Sequence, residues 1–169
     1  MKAVGFIIYF GMLSLVDSFR IGCIGAGFIM RDCHLPAYRN AGFNPTAIKS
    51  RDPAHASAVA RQHGIPTVHD SIEALLDDPS IEVLDIAVPP DVQPAILLAA
   101  AKGKHLRGIL AQKPLAMSRA EAKRCVDACA AAGITLAVNQ NMRFDQSVRA
   151  MKDVLRRGWI GDPVLATID

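Results

Sequence analysis

From residue 20 onward, short uninterrupted apolar runs alternate with stretches in which apolar residues recur at helical spacing. The runs at 20–24, 46–49, 67–68, 83–88, 105–111 and 134–138 read as strands. The intervening periodic stretches read as helices. The first runs from the glycine turn to 41 with an interruption near Pro36, which cannot donate to a helix ladder. The next are 54–63, opened by Asp52-Pro53 and closed by Gly64, and a short helix at 72–76 begun by Asp70-Ser71. Helix 92–102 follows Pro89-Pro90-Asp91 and ends at Gly103, and helix 118–132 starts on a Ser118/Glu121 capping box and ends at Gly133. An amphipathic helix at 143–157 is expected to lead into a last strand at 164–168. The run at 83–88 is nearly free of polar residues, so it is expected at the centre of the sheet, buried on both faces.

Strands alternating with helices on short glycine-punctuated links predict an α/β fold, a doubly wound parallel sheet with right-handed crossovers. The strand at 164–168 has no evident partner within that unit and reads as the first strand of a second α/β domain. The expected division is an apolar extension at 1–18, a nucleotide-binding domain at 19–142, and a linking helix and strand at 143–169.

Composition narrows the class. The chain has 169 residues, 51% apolar and 21% charged, enough for one substantial core and too little for two full domains. Net charge is +3 with both signs interspersed, and no basic run suggests a nucleic-acid partner. Cys23, Cys33, Cys125 and Cys129 form no C-x-x-C pair, and no His or Asp spacing completes a metal site. They read as buried free thiols in a reducing compartment. Residues 3–16 resemble a secretory apolar segment, but are too short to span a bilayer and lack an Ala-x-Ala-like cleavage site. A nonessential extension of a cytoplasmic protein is expected; a secreted or periplasmic location follows if residues 1–18 act as a signal.

The chemistry starts at Gly25-Ala26-Gly27, where the first strand meets the first helix. Glycine lets backbone approach a pyrophosphate, and the helix start beyond it favours negative charge. Phe28 and Ile29 stand where backbone N–H groups can reach phosphate oxygens, with their side chains expected in the core. Met30 occupies the third position of the fingerprint, implying looser strand–helix packing than Gly or Ala would allow. On this reading Gly25→Val abolishes dinucleotide binding and leaves the fold largely intact. Dinucleotide folds selecting NAD carry a carboxylate roughly 20 residues past the turn. Here Ser50 and Arg51 stand there, with Lys49 beside them, which favours NADP over NAD; two uninformative solvated cations are the competing explanation.

Three further motifs, Val88-Pro89-Pro90-Asp91-Val92-Gln93, Gln112-Lys113-Pro114 and Asn139-Gln140-Asn141-Met142-Arg143-Phe144, follow the fourth, fifth and sixth strands. In order and spacing they resemble the glucose–fructose oxidoreductase/inositol dehydrogenase (Gfo/Idh/MocA) family from about Arg20 to Asp169. Gln93 stands where the family often has His, and Gln112 where it usually has Glu. The resemblance implies an NAD(P)-dependent dehydrogenase moving a hydride between nicotinamide and a secondary alcohol of a sugar or cyclitol. It implies Lys113 as the catalytic group polarising the substrate hydroxyl, although a surface lysine before proline is the plainer alternative. Pro89, Gln93, Gln112, Pro114, Asn141 and Arg143 are then cofactor-binding candidates, Asn141 competing with a helix-capping role. His34 is expected to be packed or solvated rather than catalytic. Family enzymes continue into a second domain that completes the substrate site and through which they often form homo-oligomers, and this chain ends as that domain would begin. An inactive dinucleotide-binding fragment or a regulatory binding module is therefore the competing function.

Overall fold

The computed structural model describes residues 19–103 and 105–167. The extension at 1–18 and the end of the expected strand at 164–168 lie outside or partly outside the described residues. Strand β1 (Ile21–Ile24) enters a π-helical segment, Ile29–His34, continued by α1 (Leu35–Asn40). Then come β2 (Pro45–Lys49), α2 (Pro53–His63), β3 (Thr67–Val68), α3 (Ile72–Leu76), β4 (Val83–Ile86) and α4 (Gln93–Ala100). The chain continues through β5 (Gly108–Ala111), α5 (Arg119–Ala131), β6 (Thr135–Val138), a 3₁₀ turn at Asn141–Phe144, and α6 (Gln146–Arg156). All pairings are parallel, in the order β3-β2-β1-β4-β5-β6. This is the doubly wound order in which the chain direction across the sheet reverses at β1, opening a crevice at the strands' C-terminal ends.

The sheet is covered on both faces, which is why its strands read as apolar runs. Ile21, Cys23 and Ile48 pack with Met30 and Val59 on one side. On the other side Ile24, Leu84, Ile86 and Ile109 pack with Leu97, Cys125 and Cys129. Alternate residues of β1 thus serve opposite layers. Cys33 departs from the expectation of four buried thiols: it is exposed, while the other three are buried.

Boundaries shift where local chemistry overrides apolar pattern. The fourth strand stops at Ile86 rather than at residue 88, because Pro89 and Pro90 have no N–H to continue the ladder. The first helix is interrupted just before Pro36, with the π-wound turn of Ile29–His34 carrying the fully buried Met30. The expected helix 143–157 is split: Asp145 leaves helical geometry and caps α6, its Oδ1 accepting from the N–H groups of Ser147 (2.9 Å) and Val148 (3.3 Å). Ser118 Oγ likewise accepts from Glu121 N–H, forming one half of the expected capping box. Val164–Thr167 form no ladder with this sheet, in keeping with the absence of an evident partner within the unit. A strand needs a paired edge, and none of the six lies beside it. The amphipathic α6 buries none of its residues, and Met151, Leu155, Trp159 and Ile160 are exposed.

The cap on α6 supports a first prediction. Hydrogen bonds from the Ser147 hydroxyl, then from the N–H groups of Val148 and Ser147, hold the Asp145 carboxyl below the usual carboxylate range. A depressed carboxylate stabilises above its unfolded pKa and loses that contribution as pH falls through the folded value. Amide exchange at Ser147 and Val148, relative to unfolded-peptide rates, is expected to lose protection on acidification below that range. In Asp145→Ala the protection is absent at all pH values.

Candidate nucleotide-binding cleft

A cleft of about 540 Å³ opens at the C-terminal ends of β1, β2 and β4, where the topology puts the crevice. Gly25 and Gly27 form one wall, Ser50 and Arg51 another, and Pro89 closes the β4 side. The two glycines have different tasks. Gly25 has φ +101°, its N–H donates to the Lys49 carbonyl, and an added Cβ would sit 2.2 Å from the Ala87 carbonyl oxygen. It is required by the close approach of β1 and β4. Gly27 has ordinary φ and nothing within 4 Å of an added Cβ, so the space above it is open. This corrects the expectation that Gly25→Val spares the fold.

Phe28 and Ile29 follow at the helix start, but their side chains are 66% and 41% exposed, not in the core as expected. Met30 takes the core position instead. At the end of β2, Arg51 is exposed and Ser50 half-buried. The Lys49 ammonium donates to the Asp70 carbonyl at 2.5 Å, and Lys49 and Arg51 both line this wall. Asp52 also lines the cleft, and its Oδ1 is committed to the α2 N-terminus, accepting from Ala54 (2.9 Å) and His55 (3.2 Å) N–H groups. His55 joins the walls: its Nε2 lies 2.8 Å from the Ala26 carbonyl, so Nε2–H donates across the cleft floor. The sequence carried no signal for that contact, because it depends on how α2 crosses β1.

The remaining candidates lie farther along the same sheet edge and do not line this cleft. Gln112 follows β5, its N–H donating to Gln93 Oε1 at 2.8 Å. Lys113 is exposed and joined to Pro114 by a cis peptide bond. Asn141 and Arg143, both exposed, sit in the 3₁₀ turn after the edge strand β6. Gln140 occupies the N-cap of that turn without a side-chain hydrogen bond, so the capping role considered for Asn141 is not realised.

Gln93 requires a correction. Its side chain is fully buried at the start of α4, and its Nε2 donates to the carbonyls of Gln112 (2.9 Å) and Leu115 (3.0 Å), with Pro114 at 3.3 Å. A carboxamide so engaged has no atom left for a cofactor. It braces the loop that carries Lys113.

Sequence reasoning also missed a buried cluster under β4, β5 and β6. Asp85 is 0% exposed within β4; its Oδ2 lies 2.6 Å from His34 Nδ1 and accepts from the Tyr38 hydroxyl at 2.8 Å. Burial first, and then the Asp85 charge, push the Tyr38 phenol far upward, so it stays a donor. A lone Asp inside an apolar strand and a His in the first helix were the available signals; only their meeting shows what they mean. His34 is packed, as expected.

Among the described residues, no three His, Cys, Asp or Glu side chains gather to hold a metal, and no helix is long and apolar enough to cross a membrane.

The sheet order, the glycine turn at its reversal point and the open space over Gly27 define a dinucleotide-binding domain. Residues 19–140 match the model of the Gfo/Idh/MocA oxidoreductase family, NAD-binding Rossmann fold, and the chain belongs to that family. It is 33% identical over 150 residues to 1,5-anhydro-D-fructose reductase of Ensifer adhaerens, which covers 88% of this chain and 44% of the relative. It is 40% identical over 116 residues to D-xylose 1-dehydrogenase (NADP(+)) 2 of Haloferax volcanii, covering 68% of this chain and 35% of the relative. The crystal structure of Lactobacillus casei myo-inositol dehydrogenase in complex with NAD(H) and myo-inositol superposes with a TM-score of 0.77 at 29% identity. That match covers 86% of this chain and 43% of the other. The chain thus spans less than half the length of these relatives.

Proposed function

We propose that this chain binds NADP, with NAD as the alternative, and serves an oxidoreductase that moves a hydride between the nicotinamide and a secondary alcohol of a sugar or cyclitol. The observation that carries the reading is the open space over Gly27 at the rim of a cleft whose other wall is Ser50-Arg51. Gly25, Gly27 and the N–H groups at the start of the π-helical segment face the pyrophosphate. Ser50 and Arg51 meet the adenosine ribose, where a guanidinium pairs with a 2′-phosphate bidentately. The relatives named for sugars and for NADP support the substrate and cofactor classes.

Bound nicotinamide supplies the hydride chemistry. The chain's part is to place it. Lys113, carried past the end of β5 and braced through Gln93, is the group proposed to hold the alcohol oxygen by its ammonium, with Pro89, Pro114, Asn141 and Arg143 flanking the nicotinamide half. A small-molecule substrate is the proposed partner, with association into homo-oligomers in a longer form of the protein.

Isothermal titration tests the cofactor reading. Arg51→Ala is expected to weaken NADP more than NAD, by about 1–3 kcal/mol, the range for losing a hydrogen bond to a charged group. Ser50→Asp is expected to shift preference toward NAD, because the carboxylate accepts from the ribose and repels a phosphate. Absence of binding of either dinucleotide by the unaltered chain overturns the reading.

A further inference from the structure

The buried cluster around His34 reaches the sheet edge beside Lys113. His34 Nδ1 faces the Asp85 carboxylate, an acceptor only, so Nδ1 carries a proton and donates. In the neutral ring this leaves a bare lone pair on Nε2. Gln112 and Asn139, the residues that follow β5 and β6, each place a side-chain amide nitrogen 3.0 Å from that Nε2. A lone pair attracts N–H and repels a carbonyl, so the two amides turn their NH₂ groups inward. Their oxygens, Gln112 Oε1 and Asn139 Oδ1, take no hydrogen bond from any described residue, and neither is among the buried unpartnered atoms. Both carbonyls therefore meet solvent at the strands' C-terminal edge, Gln112 next to Lys113 in the chain and Asn139 after the neighbouring edge strand, on the nicotinamide side of the glycine turn in strand order.

We propose that Asp85, acting through the His34 tautomer, turns the Gln112 and Asn139 carbonyls outward, and so makes this edge a receptor for the neutral carboxamide N–H of a nicotinamide dinucleotide. A carboxylate in the same place meets two carbonyl oxygens and is rejected. His34 and Asp85 are positioning residues: they touch no ligand and act through the amides. Tyr38 completes the device, because its hydroxyl holds the same Asp85 oxygen and keeps the carboxylate in register with the imidazole. The inference rests on the cofactor reading above.

The test compares NAD with its nicotinic-acid analogue, which carries a carboxylate in place of the carboxamide; ADP-ribose, lacking that ring, serves as reference. The unaltered chain is expected to bind NAD about tenfold or more tighter than the analogue, the cost of losing a donor and facing acceptors with a charge. His34→Leu, which offers the amides no acceptor, is expected to reduce that ratio to near unity with ADP-ribose affinity unchanged. Long-range ¹H–¹⁵N spectra of His34 in the unaltered chain are expected to show a protonated Nδ1 and a bare Nε2, a readout that holds even where His34→Leu does not fold. Equal affinities for the two dinucleotides, a ratio that survives His34→Leu, or a protonated Nε2 overturns the proposal. Failure of ADP-ribose and NAD alike to bind removes the cofactor reading itself, and with it the ligand assigned to these carbonyls.

Discussion

Gly27→Val is expected to abolish dinucleotide binding while leaving the melting temperature within about 2 °C, as for an exposed substitution that touches nothing. The backbone at Gly27 is compatible with a side chain and the space around it is empty. The branched side chain therefore occupies only the volume that a pyrophosphate needs. Gly25→Ala is the contrasting case. Its Cβ would lie 2.2 Å from a backbone oxygen, at φ +101°, so the end of β1 must separate from β4 before any ligand is considered. Loss of binding in Gly25→Ala therefore accompanies a loss of at least about 2 kcal/mol of stability, within the range for backbone clashes and strain. Titration calorimetry alongside thermal melts separates the two. Unchanged affinity in Gly27→Val sinks the cleft as a pyrophosphate site.

Gln93→Leu is expected to cost about 3–4 kcal/mol, because the apolar side chain strands three part-buried groups, the Gln112 N–H and the Gln112 and Leu115 carbonyls, each at the lower end of the roughly 1–3 kcal/mol for a group left without a partner. For a chain of this size that corresponds to a fall in melting temperature of roughly 5–15 °C. Leu has nearly the volume of Gln, so the loss reports hydrogen bonds and not a cavity. The 112–115 loop should lose its amide-exchange protection ahead of the rest of the sheet, since α4 no longer grips it. Uniform destabilisation with that loop still protected would show that Gln93 is a packing residue only.

The Gln93 result illustrates a general difficulty in reading this chain. Its place in the Pro89–Gln93 motif pointed to a cofactor contact, because motif residues at strand ends gather around ligands. The bracing role depends on where the loop after β5 passes, some twenty residues later, and no local pattern carries that. Phe28 and Ile29 misled in the opposite direction: their apolar character suggested core, yet the π-wound turn directs Met30 inward and leaves them exposed. Asp85 sat unremarked within an apolar strand, although a buried charge needs donors that distant segments must supply.

The six strands of the sheet, the helices between them, their order and the place of the glycine turn were legible in the sequence. Period-2 and period-3.6 burial, proline's missing N–H and the caps at Asp52, Ser71 and Ser118 are consequences of backbone geometry over a few residues. Tertiary structure alone decided which glycine packs against a neighbouring strand and which has open space above it, and that His34, Tyr38, Asp85, Gln112 and Asn139 form one cluster. Those outcomes depend on distances between segments far apart in the chain, set by how the helices cross the sheet, and a one-dimensional pattern does not encode them.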